Sequence, residues 1–426
     1  MVYTIMASSS GHVISAFALA GAGISSLLMA GCGVKWLMSR AWSRQLTADE
    51  LKSKMAVIRA ACGLLVVGCL SLTPVACRSA RDDRSRPYVL SGDRLAEFTS
   101  IEPIDAHTHV SQTGTAFVGM LERLHMHVLD ILYVDDTEPY RNSLEPQRQD
   151  ALNFEASSKG HAQLCATFDP FPFNKADFSK AAIDALNQDF ARGAIAAKIW
   201  KNVGMEIKVA SGQYVMPDDP RFEPIYKDIA AHHKTLIIHA ADPDAAWDAQ
   251  YPTPAGAKYY GAHPEWDMSK KPGAPRKQTI LDARDRVVAA NPDLRIVGAH
   301  LGSMEAQLDD LGNRLGRHPN FAVDTAARIR RLTLQPRDKV RAFLLKYQDR
   351  ILYGSDLSYS SGTTDPAASQ AWENQYALDW RYLATDDSFE YMGHEVEGLN
   401  LPRAVLKKLY HDNAVRWIPG IDAGPH

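Results

Sequence analysis

The first feature of this sequence that could do chemistry is a His-x-His pair at the end of an apolar run. Residues 104–109 read Ile-Asp-Ala-His-Thr-His. In a β-strand alternate side chains share a face, so His107 and His109 would point the same way with Cα atoms about 6.6 Å apart. Two such imidazoles can bind one metal ion. A second pair, His125 and His127, precedes its apolar run and is interpreted as structural.

Three more residues of metal-binding types lie at the ends of other apolar runs. His239 ends TLIIH, His300 ends RIVGAH, and Asp356 follows ILYGS. Three neutral imidazoles and a carboxylate, with one position open to water, suit a catalytic Zn²⁺ or a similar divalent ion. Such an ion polarises a carbonyl and lowers the pKa of its water toward about 7, and a nearby carboxylate can accept the proton. We predict Asp356 as this general base.

Repeated βα units must bring these residues together. Apolar runs rich in Val and Ile alternate with amphipathic stretches, which indicates a parallel sheet. The eight predicted strands are 104–110, 128–134, 162–168, 194–200, 235–239, 295–300, 321–325 and 351–355. This count predicts an α/β fold, a (β/α)₈ TIM-type barrel, in which the carboxyl ends of the strands form the active-site face. Each residue proposed above for metal binding lies at such an end.

A long segment interrupts this rhythm after the fifth strand. Residues 242–278 stand where two to six residues are usual, and they follow the strand on the active-site face. Their aromatic side chains are predicted to line a substrate pocket, with a small aromatic core as the equal alternative. The aromatic residues are Trp247, Tyr251, Tyr259, Tyr260 and Trp266. Trp200, Lys201 and Asn202, after the fourth strand, are further candidates for substrate contact.

These motifs together resemble the amidohydrolase superfamily. The pattern is His-x-His after strand one, His after strands five and six, and Asp after strand eight. The motifs HLG at 300–302, GSD at 354–356 and Asp-Asn-Ala at 412–414 resemble its amidohydrolase-related branch. The resemblance spans about residues 100–420. That branch resembles both hydrolases of amides, esters or lactones and metal-dependent decarboxylases such as aminocarboxymuconate-semialdehyde decarboxylase.

The resemblance implies a role for each matching residue. It implies metal ligation by His107, His109, His239 and Asp356, and a role for His300 in polarising substrate or water. Zn²⁺ is the expected metal, with Mn²⁺ or Fe²⁺ as alternatives, bound as one or two ions.

Lys198 leaves the number of ions open. It lies near the end of strand four, where binuclear members of the superfamily carry a carboxylated lysine that bridges two metals. If Lys198 is carboxylated, His300 becomes a ligand of the second ion, and two ions suit hydrolysis. The alternatives are a free lysine that binds a substrate carboxylate and a structural ion pair.

Three other residues receive structural or supporting interpretations. Asp105, predicted on the same face as His107 and one layer deeper, could orient a ligand, and Asp324 at the end of strand seven is similar. An ordinary strand-end hydrogen bond is the alternative for both. Cys165 lies inside strand three and is predicted to be a small core residue.

The first 77 residues differ from the rest. Uncharged runs at 13–34 and 60–77 flank a segment that gives the region a net charge of +4, and the first run is long enough to span a membrane. One interpretation is a membrane hairpin with the basic segment in the cytoplasm. Another is a start at Met55 followed by a signal peptide, with Cys69 or Cys77 as an imperfect lipoprotein site. A buried core helix is the third.

The membrane interpretations all export the remainder of the chain, which we expect on the periplasmic or extracellular side, anchored to the membrane. The chain of 426 residues has a net charge of -3 and a pI near 6.6, which excludes the basic footprint of nucleic-acid binding.

We predict residues 1–77 as the hydrophobic region, 78–100 as a linker and 101–420 as the barrel. The predicted function is hydrolysis of a small carbonyl substrate by metal-activated water. Non-oxidative decarboxylation and a non-catalytic binding barrel are alternatives, and homo-oligomer formation stays open.

Overall fold

The computed structural model describes residues 88–134, 143–250 and 254–423. The predicted hydrophobic region at 1–77 lies outside the described residues, and so do the predictions of a signal peptide, a lipoprotein site and a membrane anchor. Among the described residues, no helix is both long and apolar enough to cross a bilayer.

A parallel sheet curls into a TIM-barrel-like ring. Its strands among the described residues are β1 Ile104–Val110, β2 His127–Ile131, β3 Ala162–Thr167, β4 Ala196–Ile199, β5 Thr235–Ile238, β6 Arg295–Gly298, β7 Phe321–Asp324, β8 Ile351–Leu352 and β9 Leu357–Tyr359. Each strand from β1 to β7 pairs with the next one in the chain, and β9 pairs with β1. β8 lies within the predicted eighth strand at 351–355, and β9 follows it after Asp356, so this stretch of chain pairs with β7 on one side and with β1 on the other, and the sheet closes on itself. The predicted α/β barrel is confirmed.

The sequence alternation of the strands separates two apolar cores. Leu129, Cys165 and Ile237 face the inside of the ring, where Trp417 and Ile418 of the C-terminal segment pack against them. The prediction that Cys165 is a core residue is therefore confirmed. The other strand faces are covered by helices in a larger core.

The helices return the chain from one strand to the next. In the described part of the chain, the helices of eight or more residues are α1 Gly92–Thr99, α2 Thr115–Leu124, α3 Leu144–Ser157, α4 Phe178–Ala191, α5 Glu223–Ala231, α6 Pro254–Ala262, α7 Lys277–Ala290, α8 Leu308–Arg317, α9 Arg337–Lys346 and α10 Asp365–Ala384. A hairpin of β10 Ser388–Tyr391 and β11 His394–Glu397 follows α10. The closing segment is helical, with an α-helical piece at Arg403–Lys407, a π-helical piece at Lys408–Asp412 and a second α-helical piece at Asn413–Trp417.

The described part of the predicted linker, residues 88–100, belongs to the folded body. It contains α1, whose Phe98 is fully buried and lies 5.2 Å from the ring of Trp380 and 5.9 Å from that of Tyr410. Leu90 is buried as well. Because both side chains are buried, residues 88–100 are part of the fold and not a linker.

The long segment after β5 is built of short helices. It contains turns at Asp244–Trp247, Pro264–Trp266 and Met268–Lys270 in addition to α6. Tyr260 and Trp266 are buried in the main core, so part of the segment does form an aromatic core.

Candidate metal centre

Four histidine rings meet at the carboxyl end of the barrel. The centroid of the His107 ring lies 5.5 Å from that of His109 and 4.8 Å from that of His300. The centroids of His239 and His300 are 4.3 Å apart. Each of these histidines lies at or just after the end of β1, β5 or β6. The predicted convergence of the strand ends is confirmed.

Hydrogen bonds at Nδ1 fix three of these imidazoles. His109 Nδ1 lies 2.7 Å from the carbonyl oxygen of Ile131, and His300 Nδ1 lies 2.9 Å from that of Ala326. Because a carbonyl only accepts, both Nδ1 atoms must carry the proton. His107 Nδ1 likewise donates to Asp324 Oδ2 at 2.8 Å. The three Nε2 atoms therefore carry lone pairs, as metal ligation requires, and that of His107 faces Lys198 Nζ at 2.7 Å.

His239 is the strongest sign of a missing ligand. Its side chain is buried, and neither ring nitrogen has a hydrogen-bond partner in the described part of the chain. The nearest acidic atom, Asp242 Oδ1, is 3.5 Å from Nε2. Burial lowers the pKa of His239 to about 3, so the ring is neutral. A buried imidazole without partners is costly, and a metal ion would satisfy it.

Asp356 completes the predicted ligand set. Its Oδ1 lies 3.3 Å from His109 Nε2 and 3.6 Å from His107 Nε2, and its side chain is 30% exposed. Burial would raise the pKa of Asp356, but the neighbouring imidazoles of His109 and His107 and the amine of Lys198 together hold it below its usual range. The carboxylate is thus ionised and open to the cavity. His107, His109 and Asp356 lie close enough to hold one ion.

Backbone strain is concentrated at the same rim. His300 and Leu301 have φ angles of 60° and 54°, and Asp356 has a φ of 66°, so all three adopt the left-handed conformation that non-glycine residues avoid. Gly302, with a φ of 59°, continues the turn after β6, and a Cβ there would lie 2.9 Å from the guanidinium of the buried Arg284. Such strain is typical of functional sites.

Lys198 faces the inside of the barrel, on the same strand face as Ala196. It is fully buried, and its Nζ lies 2.7 Å from His107 Nε2 and 3.8 Å from the centroid of the Trp200 ring. Burial lowers the pKa of Lys198 to about 8. The amine therefore lies in the direction in which the His107 lone pair points.

Asp324 and Asp105 both support β1, in different ways. Asp324 holds the His107 ring and also accepts the backbone N–H groups of His300 and Ala326, at 2.7 and 3.0 Å. Asp105 instead accepts the backbone N–H of His107 at 3.1 Å and the hydroxyl of Tyr376 on α10. The predicted shared face of Asp105 and His107 is wrong, because the register shifts within β1 between Asp105 and Thr108.

A cavity of about 530 Å³ opens over these residues. Of the predicted substrate contacts, Trp200, Lys201, Tyr259 and Trp266 lie in its wall. Trp247 does not, and its indole donates to the carbonyl of Pro275 at 2.8 Å. The cavity wall is thus aromatic on the side of the inserted segment.

Lys201 is held by residues of the inserted segment. Its Nζ lies 2.9 Å from Asp242 Oδ2 and 3.0 Å from the Tyr259 hydroxyl, and 4.3 Å from the centroid of the Trp266 ring. Burial would lower the pKa of Lys201, but Asp242 raises it above the usual value, so the amine stays charged. The sequence alone does not reveal Asp242 as its partner, since the pairing depends on the fold of the insertion.

Comparison with known proteins gives one match to a family. A family model described as "Amidohydrolase" matches residues 104–419. No curated protein matches the chain significantly.

Several solved structures are similar to the chain. A 2,6-dihydroxybenzoate decarboxylase from Rhizobium is 14% identical, with a TM-score of 0.43, over 74% of this chain and 98% of that one. A dihydroorotase from Campylobacter jejuni is 12% identical, with a TM-score of 0.39, over 74% of this chain and 82% of that one. A dihydroxybenzoic acid decarboxylase from Polaromonas, with bound manganese, is 12% identical, with a TM-score of 0.44, over 74% and 96%.

Proposed function

Because the chain belongs to the amidohydrolase family, whose model matches residues 104–419, we propose that it is a metal-dependent hydrolase of a small amide, ester or lactone. His107, His109, His239 and Asp356 would hold the ion. The proposal is carried by one observation: an ionised, partly exposed Asp356 stands 3.3 Å from His109 Nε2 in the wall of a cavity.

A bound divalent ion would polarise the substrate carbonyl and make water acidic enough to attack near neutral pH. Asp356 then accepts the proton of the attacking water and returns it to the leaving group. His300 has a pKa well below its usual value, chiefly because of burial, and its Nδ1–H is held by Ala326. It therefore offers a lone pair at Nε2, which assists as an acceptor for water and not as a donor to a carbonyl.

The metal that we propose is Zn²⁺, with Mn²⁺ or Fe²⁺ as alternatives. The support is the chemistry of the donor set, since several imidazoles and one carboxylate suit the first-row divalent ions. Elemental mass spectrometry of protein purified without chelator identifies the ion and its stoichiometry.

Asp356→Asn tests the hydrolase. It should lower turnover of an ester such as p-nitrophenyl acetate, of a simple lactone or of an anilide by about 10²-fold or more, because general-base catalysis contributes that much. Asp365→Asn is the matched control, since it makes the same change at an aspartate outside the cavity wall. Asp365 accepts the backbone N–H groups of Ala116 and Phe117. Equal activity of Asp356→Asn and wild type would refute the proposal.

Non-oxidative decarboxylation is the second candidate, favoured by Lys198. Its Nζ over the Trp200 ring is the geometry of a cation on an aromatic face, which suits a free ammonium better than an anionic carbamate. A free lysine implies a single ion, which fits a decarboxylase as well as a hydrolase. Release of CO₂ from hydroxybenzoates without ester, lactone or anilide hydrolysis would select it. Neither activity, together with no bound metal, would leave a binding barrel.

We also propose that the protein is exported and held at the membrane. The support is the sequence of residues 1–77, with its two uncharged runs and its basic segment. Fractionation of cells that express the full chain tests this, and recovery in the cytosolic fraction would contradict it.

A further inference from the structure

The cavity over the metal centre extends to the helix side of the sheet. Leu129 and Ile131 on β2 face the inside of the ring, so strand alternation turns the side chain of Asp130 outward. Val110 and Leu132 belong to the helix-side core, and both line the cavity together with Asp130. The part of the cavity bounded by Val110, Asp130 and Leu132 is called the side recess below.

Asp130 carries a buried carboxyl oxygen without a partner. The residue is 3% exposed, and its Oδ1 accepts the backbone N–H of Val110 at 2.8 Å. Its Oδ2 is buried and has no hydrogen-bond partner in the described part of the chain. The amide of Gln147, in the same cavity wall, is already bonded to the backbone of Tyr133 and to the hydroxyl of Ser143. Because an unpaired buried polar atom is costly, Oδ2 is an open position for a hydrogen bond.

The carboxyl group of Asp130 is a hydrogen-bond donor and not an anion. Burial, together with the acidic Glu155 and Asp150, raises the pKa of Asp130 to about 8, so the group is mostly protonated at neutral pH. Since Oδ1 accepts the N–H of Val110, the proton lies on Oδ2. None of the lysine and arginine side chains in the described cavity wall is a hydrogen-bond partner of Oδ2; these are Lys201, Arg328, Arg330 and Arg331.

We propose that Asp130 Oδ2 donates a hydrogen bond, in the side recess, to an uncharged acceptor oxygen of the substrate. The inference rests on the proposed function, because the reacting carbonyl would lie at the adjoining metal centre. The two sites adjoin because the His109 ring is bonded at 2.7 Å to the carbonyl of Ile131, the residue after Asp130. Val110 and Leu132 offer apolar contacts, and the acidic neighbours of Asp130 disfavour an anion. The substrate class is thus a neutral ester, lactone or amide with a second acceptor oxygen.

Binding of acetophenone and isopropylbenzene tests the side recess, because the two molecules have nearly the same shape and only acetophenone has an acceptor oxygen. Ligand-observed NMR measures both dissociation constants for the full chain, in chelator-treated and metal-loaded form, with circular dichroism as a check on the fold. We expect wild type to bind acetophenone at least about fivefold more tightly than isopropylbenzene in both forms. Asp130→Leu and the smaller Asp130→Ala should both lose this preference. Asp130→Asn should keep it, because its NH₂ group still donates.

The matched control is Asp228→Leu, which should keep the preference. Asp228 on α5 also has a buried Oδ2 without a hydrogen-bond partner among the described residues, but it lies outside the cavity wall.

Equal affinity of wild type for the two probes would overturn the proposal. So would an undiminished preference in Asp130→Leu or Asp130→Ala, or its loss in Asp130→Asn. A preference seen only in the metal-loaded form would overturn it too, because the ion would then hold the ketone. Failure of the hydrolase proposal gives a different result, namely Asp130-dependent acetophenone binding without turnover of an ester, lactone or anilide.

Discussion

Replacing Asp324 by Asn should weaken metal binding while the protein stays folded. In the wild type, Asp324 Oδ2 accepts the Nδ1–H of His107, while Oδ1 accepts two backbone N–H groups. Asn is nearly the same size, and its single carbonyl oxygen can keep the two backbone bonds. Its NH₂ group would then face His107 Nδ1 and donate to it. The ring proton would move to Nε2, which removes the lone pair that a metal needs.

The size of the effect follows from the bonds involved. Loss of a carboxylate that supports a metal-bound histidine typically lowers metal affinity by about 10- to 100-fold, which corresponds to about 1.4–2.7 kcal/mol. Loss of a buried hydrogen bond to a charged group costs about 1.5–3 kcal/mol of folding stability. We therefore expect a folded protein whose Zn²⁺ affinity falls by one to two orders of magnitude.

Competition with a chromophoric chelator measures the affinity, and urea unfolding of the metal-free protein measures the stability. Asp365→Asn is the control, because it disturbs two backbone N–H bonds of 2.8 and 2.9 Å at α2 without touching a histidine. It should lose stability and keep its metal affinity. Wild-type affinity in Asp324→Asn would show that the His107 tautomer does not depend on Asp324.

Three further predictions concern other buried groups. His239→Leu removes two unsatisfied nitrogens, so the metal-free variant should be about 1–3 kcal/mol more stable in urea while its metal content falls; lower stability would contradict this. Burial raises the pKa of Asp379 to about 6, above about 3.9 in the unfolded chain, so the folded state binds the proton more tightly. The contribution of Asp379 to stability should fall by about 3 kcal/mol as pH rises from about 4 to 6, and in urea titrations Asp379→Asn should lose that much less stability than wild type over this range. With Lys198 a free amine over Trp200, elemental analysis should give about one ion per chain even in bicarbonate, and two ions would show a carbamate.

The sequence predicted the strands and the positions of the histidines because strand polarity is a property of the chain itself. A histidine that ends an apolar run must lie at the carboxyl edge of a parallel sheet, and His239 and His300 do so. The same test applied to residues 328–331 would have placed three arginines at this edge. The sequence does not mark these arginines as part of the site, because a basic run usually indicates a solvated surface.

Other features depend on long-range packing and could not be predicted. Asp105 faces α10 because β1 shifts its register, and strict alternation cannot reveal such a shift. The pairing of Lys201 with Asp242 depends on how the inserted segment folds back. Phe98 is buried only because α10 and the closing segment supply its contacts.

The divided eighth strand has a consequence for the order of folding. The ring closes where β9 pairs with β1, and Asp356 donates its backbone N–H to the carbonyl of His107 at 2.9 Å across this junction. These partners are about 250 residues apart in the chain, so their pairing is slow to form and is expected late. An ion held by His107, His109 and Asp356 would join both sides of the junction. Bound metal should therefore lower the unfolding rate much more than it raises the folding rate.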